Sequence, residues 1–336
     1  MAVTRTSRFW MRFLAGRLIR LAILLPLVAG SAFTLLSVSP VDPVRAYVGD
    51  RMNRVGPEQQ ALIAAKWGLD QPPLVQFGRW AGNLLQGDFG TSMIFSQPVA
   101  EVLIDRAGTS LALMTLSWLL AGAIGFALGI VAGALEGSWI DRAIRTYCFA
   151  LASAPTFWMG ILFLMLFSVA LGWAPFCCAG PPGVVAADVT LADRLAHLAL
   201  PALTLSLLGI AQVTLHTRDK VREVMASDYA TLAFAQGLRR LPVAMRHGLR
   251  NAALPALTLQ FAHLGELFGG SILAETVFAY PGLGQATVLA GTRSDAPLLL
   301  GIALFASVFV FTGNLIADIL HHALDPRQRR LADAVR

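Results

Sequence analysis

Apolar residues run along this chain in long blocks separated by short polar stretches. The blocks at 21–41, 107–135, 146–187, 195–217, 251–265 and 296–317 hold no Asp, Glu, Lys or Arg. A helix needs ~20 mostly apolar residues to cross a bilayer, so the fifth block reaches spanning length only when carried through Glu266 to about residue 274. The block 146–187 is long enough for two spans. Gly172, Trp173, Pro175, Gly180, Pro181, Pro182 and Gly183 break its second half, and the pattern predicts one helix over about 147–171 followed by a loop. The result is an all-α integral membrane chain with six spanning helices. Residues 1–41 form a tail and the first span, 42–106 an extramembrane cap, 107–322 a five-helix core, and 323–336 a second tail.

Two polar stretches carry their own patterning. Within 42–106, Pro57 to Trp67 reads as a helix opened by proline and closed by Gly68, and Leu74, Val75, Phe77, Trp80, Leu84 and Leu85 recur near helical spacing up to Gly87. Between the fourth and fifth spans, Ser227 to Gly237 reads as a short self-contained helix. Ser227 is placed to cap its first turn, Asp228 favours its positive end, and Gly237 stands where a left-handed stop belongs. Tyr229, Leu232, Ala233 and Phe234 give it apolar surface that so brief an element cannot bury against itself. It either docks into a partner's groove or folds back on its own subunit.

Composition narrows the class. Hydrophobic residues make up 56% of the 336, charged residues 14%, and mean hydropathy is +0.64. A soluble protein carries nearer a quarter charged residues. With both termini cytoplasmic, the inside segments hold 18 Lys and Arg; the outside segments hold 2 once the long first loop is set apart, which fixes the orientation. The pI near 9.8 is thus a topology signal and no footprint for nucleic acid. Apolar character continues past Ala29-Gly30-Ser31-Ala32 to Val38, too long for a cleaved signal, so the first helix is read as retained. Of the three cysteines, Cys148 falls in a span and Cys177-Cys178 in an outside loop; neither metal spacing nor a disulfide framework follows.

The candidate chemistry is sparse. No phosphate-binding Gly-Lys-Ser/Thr is present, the only lysines being Lys66 and Lys220, and no nucleophilic triad or HExxH appears; no residue is read as catalytic. If the chain pumps, its ATPase is another chain. His263 lies near the middle of the fifth span with Glu266 one turn on, on the same face. Ionisable groups at that depth face a partner or a wet path, so the pair either lines a pathway, where it suits a cation or chelate, or hydrogen-bonds neighbouring helices. It is not a complete metal site. Gly125, Gly129, Gly133 and Gly137 form a small-residue stripe that lets another helix approach closely. His216, Arg218 and Asp219 read as interfacial anchors, Asn314 and Asp318 as helix-contact or interface residues, and His197 as exposed.

The ordered motifs Gly68-Leu69-Asp70-Gln71-Pro72, Gly87-Asp88-Phe89-Gly90-Thr91-Ser92, Ala154-Pro155-Thr156-Phe157-Trp158, Asp228-Tyr229 with Ala233, Ala235 and Gly237, Arg250-Asn251-Ala252, Glu275 to Gly284, and Leu324-Asp325-Pro326-Arg327 resemble the permease subunits of dipeptide, oligopeptide and nickel ABC importers. The resemblance implies a bacterial inner-membrane permease of the type I importer kind. Its cytoplasmic coupling helix at 227–237 would contact the ATPase through Asp228, Tyr229, Ala233, Phe234 and Gly237. The implied partners are a second homologous permease, two ATPase subunits and a periplasmic binding protein. The chain would bind no cofactor itself, ATP and Mg²⁺ being used by the partner ATPase. Phe234 and Gln236 depart from the family, which places basic residues before the glycine; docking should then be more apolar. His263 to Gly270 resembles nickel-type members, so nickel, a metal chelate or short peptides are the cargo expected, with His263, Glu266 and Glu275 on the path. A proton-coupled secondary transporter working through Glu266 and His263, or a membrane protein without flux, are the rival readings.

Overall fold

In the computed structural model the described residues are 2–39, 42–48, 55–185 and 188–324. The C-terminal Asp325-Pro326-Arg327 and the rest of the tail lie outside them. Helices follow one another as α1 (Ala2–Val38), α2 (Pro43–Val48), α3 (Pro57–Trp67), α4 (Pro73–Leu85), α5 (Val99–Ala134), α6 (Trp139–Ser153), α7 (Thr156–Phe163, continued by a π-helix Leu164–Ala170), α8 (Leu191–Met225), α9 (Asp228–Ala235), α10 (Arg240–Val243, continued by a π-helix Ala244–Gly248), α11 (Leu249–Ala262), α12 (Leu264–Val277), α13 (Leu283–Thr292) and α14 (Ala296–Leu324). Among the described residues there is no strand, only one isolated bridge between Thr91 and Pro98.

Among the described residues, four helices are long and apolar enough to cross a membrane: Trp10–Val38, Val99–Ala134, Leu191–Met225 and Ala296–Leu320. The span expected over 147–171 is instead a bent pair, α6 and α7 meeting at 104°. Pro155 is the reason. It disfavours helical backbone at the residue before it, and Ala154 accordingly sits at φ −88°, ψ 130°. The span expected over 252–274 is also broken, into α11 and α12 of 14 residues each, with His263 at φ −91°, ψ 11° between them.

The chain divides into two compact units, one of residues 1–108 and 282–311, the other of 109–281 and 312–336. In the first unit, α3 opens on Pro57 and stops at Gly68 in the left-handed conformation, as the sequence predicts. Phe77 of α4 stacks near Phe33 of α1, ring centroids 5.1 Å apart. The Gly87–Ser92 motif ends on a buried acceptor. Ser92 Oγ donates to Asp295 Oδ2 at 2.6 Å and the Ile94 amide donates to the same oxygen at 3.0 Å. Arg106 lies 4.5 Å over the Phe95 ring and donates to the Gly282 carbonyl and to Gln285.

The second unit is built on α8. A capping box between Thr190 and Asp193 opens it, and the helix runs seven residues beyond the basic Arg218. The glycine stripe packs within the chain: a Cβ on Gly125, Gly129 or Gly133 would lie 2.8, 2.5 or 2.7 Å from the Cβ of Val213, Thr217 or Val221 of α8. Only glycine permits that approach. Gly137 is not part of the stripe; it is a turn residue at φ +78°, past the end of α5. On α8's other side, Cys148 and Leu151 of α6 pack with Leu207 and Ala211. His197 is buried, contrary to its reading as exposed, and its Nδ1 bonds the Asp193 carbonyl at 2.8 Å. A disulfide joins the neighbouring Cys177 and Cys178, and the Cys178 amide donates to the Phe278 carbonyl at 3.0 Å.

Candidate functional site

The break at His263 opens onto a cavity of about 530 Å³, counting its mouth. α8 supplies Leu205, Leu208 and Gln212; α5 supplies Trp118; α7 supplies Thr156; the α11–α12 junction supplies Gln260, His263, Glu266 and Leu267. Irregular backbone at membrane depth is tolerated where it lines a cavity, which is where this break falls. The two residues singled out in the fifth span are thus brought together, and two amides missed by the sequence reading join them. Gln212 Nε2 donates to Glu266 Oε2 at 3.0 Å. Gln260, nearly buried, donates to the Trp118 carbonyl at 2.8 Å. The Trp118 ring tilts against Phe261 at 5.0 Å, and its indole N–H is buried without a hydrogen-bond partner among the described residues. A carboxylate, an imidazole, two amides and an indole therefore converge in apolar walls. The available signal was the Gln212 amide standing inside the charge-free run 195–217.

Glu275 does not belong to this set. It is fully buried, accepts a hydrogen bond from Ser110 Oγ at 2.6 Å, and lines no part of the cavity. Sealed in this way, the Glu275 carboxylate offers no face to a solute in this structure. Among the described residues no group of three or more His, Cys, Asp and Glu could hold a metal ion.

The short helix is present as α9, ended by Gly237 at φ +86°. The Gly237 amide bonds the Phe234 carbonyl and the Leu238 amide the Ala233 carbonyl, closing the last turn. Ser227 does not cap the first turn; its hydroxyl turns back to the Val224 carbonyl, which ends α8 instead. The expected docking residues divide. Ala230 and Ala233 are buried with Val243, and Phe234 packs on them, so Ala233 and Phe234 seat the helix on its own subunit. Tyr229 and Leu232 remain 45% and 61% exposed, with Asp228 and Gly237 also at the surface. An eight-residue helix is marginal alone; this internal seat is what holds it, leaving one apolar face open.

Arg218 and Asp141 form the feature furthest from the sequence reading. Arg218 Nε donates to Asp141 Oδ1 at 2.6 Å and Nη2 to Oδ2 at 2.9 Å, with the two side chains 8% and 1% exposed. Read as an interfacial anchor in the sequence, Arg218 has its guanidinium held instead in two-pronged contact with a buried carboxylate.

Residues 125–330 match the family described as the binding-protein-dependent transport system inner membrane component, and residues 10–114 match its N-terminal companion. The chain belongs to this family. It is 35% identical over 297 residues to the oligopeptide transport system permease protein AppB of Bacillus subtilis, covering 88% of this chain and 92% of that one. It is 34% identical to the di/tripeptide permease DppB of Pseudomonas aeruginosa, with 92% and 97% covered, and 35% identical to the glutathione permease GsiC of Salmonella paratyphi A, with 95% and 99% covered. The protein is an inner-membrane permease component of an ABC importer, not an enzyme, and works with a separate ATPase and a binding protein. Family membership sets aside the proton-coupled and flux-free readings. The nickel-type likeness of His263–Gly270 gains no support from these relatives, which are named for peptides and glutathione.

Proposed function

We propose that this permease imports short peptides and that the cavity at the α11–α12 break is part of their path. The relatives' names support the cargo class. The observation that carries the path is the exposed Glu266 carboxylate beside Gln212, His263 and Gln260 in an otherwise apolar helical wall. Amides and a carboxylate suit the amide and ammonium groups of a peptide, while Leu205, Leu208 and Leu267 leave the surface without a deep binding minimum, as passage requires. The exposed Tyr229 and Leu232 face of α9 docks into the ATPase, where ATP and Mg²⁺ are handled. The assembly contains a second homologous permease, two ATPase subunits and a binding protein, and both termini face the cytoplasm.

The test is Glu266→Gln in the assembled importer, with labelled dipeptide uptake and complex yield measured together. The amide keeps the shape and removes the charge. Uptake falling several-fold at normal yield supports the path; uptake unchanged removes Glu266 from it. Single cysteines near Gln60 and near Ser294, at the exposed Arg293, reacting with an impermeant thiol reagent from outside, and one at Ser227 staying inert, support the orientation; the reverse pattern overturns it.

A further inference from the structure

α8 joins the two functional regions. Gln212 of the cavity lies six residues before Arg218, about 9 Å along the helix, and α8 ends at Met225, about 10 Å beyond it. α9 then starts at Asp228 and is seated on α8 through Met225. Between the two regions stands the Arg218–Asp141 contact. The Asp141 carboxylate is saturated there. Besides both guanidinium prongs it accepts the Gly137 amide at 3.0 Å, and Arg145 lies 3.5 Å away. The Asp141 amide in turn donates to Ser138 Oγ at 3.2 Å, so the residue is fixed by its own helix cap. Arg218 uses its remaining Nη1 on Asp219 at 3.0 Å. Asp141 lies in the first turn of α6, and α6 leads through the Pro155 bend to Thr156, which lines the same cavity as Gln212.

We infer that the Asp141–Arg218 pair is a positioning clamp that makes the base of α8 and the start of α6 move as one body, so that displacement of α9 reaches the cavity walls at Gln212 and Thr156. A single charged hydrogen bond would allow the guanidinium to swivel; two parallel bonds fix its plane. Without the grip, the last two turns of α8 bend under load and the displacement ends there. The inference rests on the proposed docking of α9.

The experiment uses the full importer in lipid with Cys148→Ala, Cys177→Ser and Cys178→Ser as background. One spin label is placed at Gln236→Cys beside α9, another in a separate sample at Leu208→Cys on the cavity wall. Spectra are compared without nucleotide and with ATP trapped by vanadate, so no cargo is needed. In the otherwise native chain both labels respond. In Asp141→Asn and in Arg218→Gln the label at 236 keeps its response, while that at 208 falls about fivefold. The double variant falls no further than the worse single one. Arg218→Lys, which keeps the charge and loses the fork, is the milder variant should the others not assemble, and it shows the same split in smaller degree. Both responses retained in every variant overturns the clamp. So does loss of both together, or failure of Arg218→Lys to assemble, since either makes the pair merely structural. A native chain whose label at 236 ignores ATP overturns the docking of α9 instead.

Discussion

Glu266 and Glu275 stand nine residues apart on α12, and their surroundings have little in common. Glu275 is sealed at 0% exposure and bonded to Ser110. Glu266 is exposed, with Gln212 on one carboxylate oxygen, at the rim of a cavity. The Asp141–Arg218 pair belongs with Glu275, its groups buried and engaged on every prong. Charge inside an apolar helical protein thus has two uses here. A buried group held by several partners fixes helices, because loss of any partner leaves a costly unpaired atom. An exposed group with one neutral partner remains available to a solute. Depth in the bilayer, which is all the sequence reports, does not separate these uses; satisfaction does.

The largest expected effect comes from breaking the sealed set. Asp141→Ala leaves Arg218 buried without its carboxylate and should cost ~3–5 kcal/mol, read as a large loss of extractable complex and a lowered unfolding temperature in detergent. Next is the close approach of α5 to α8. Gly129→Val puts a branched side chain where a Cβ already lies 2.5 Å from that of Thr217, and the overpacking should cost ~1–3 kcal/mol in the same assay. Gly237→Val comes third. It forces a β-branched residue to φ +86° at about 1 kcal/mol or more, but with nothing to clash against. Transport should fall further than stability there, because the end of α9 shifts. The smallest stability effect belongs to Glu266→Gln, within ~0.5 kcal/mol of the native chain. A destabilisation by Glu266→Gln as large as that of Asp141→Ala would erase the distinction between the two sets.

Local rules carried the sequence reading a long way. α3 between Pro57 and Gly68, α9 up to Gly237, the packing face of Gly125, Gly129 and Gly133, and the nearness of His263 and Glu266 all follow from period, caps and small-residue spacing. Position along a helix and the chemistry of its ends decide such features. Pairings across the chain were not legible. Asp141 meets Arg218 from 77 positions away, and each taken alone looks like an ordinary charge at a helix end. Glu275 resembles Glu266 in kind and in helix, and its burial and the Ser110 contact from α5 distinguish it. The Pro155 bend was present in the letters, but a charge-free run on both sides of it gave the same hydropathy as a straight span. Phe234 looks like docking surface when α9 is taken without α10, whose Val243 completes the seat beneath it.

Water access at the two glutamate regions separates them most directly. In the assembled importer with Cys148→Ala, Cys177→Ser and Cys178→Ser, Glu266→Cys and Ser110→Cys would each be treated with a small charged methanethiosulfonate, and the fraction labelled followed in time. An aqueous path at the α11–α12 break predicts rapid labelling at position 266 and none at position 110, where the native side chain is 0% exposed. Equal inertness at both positions would contradict the account.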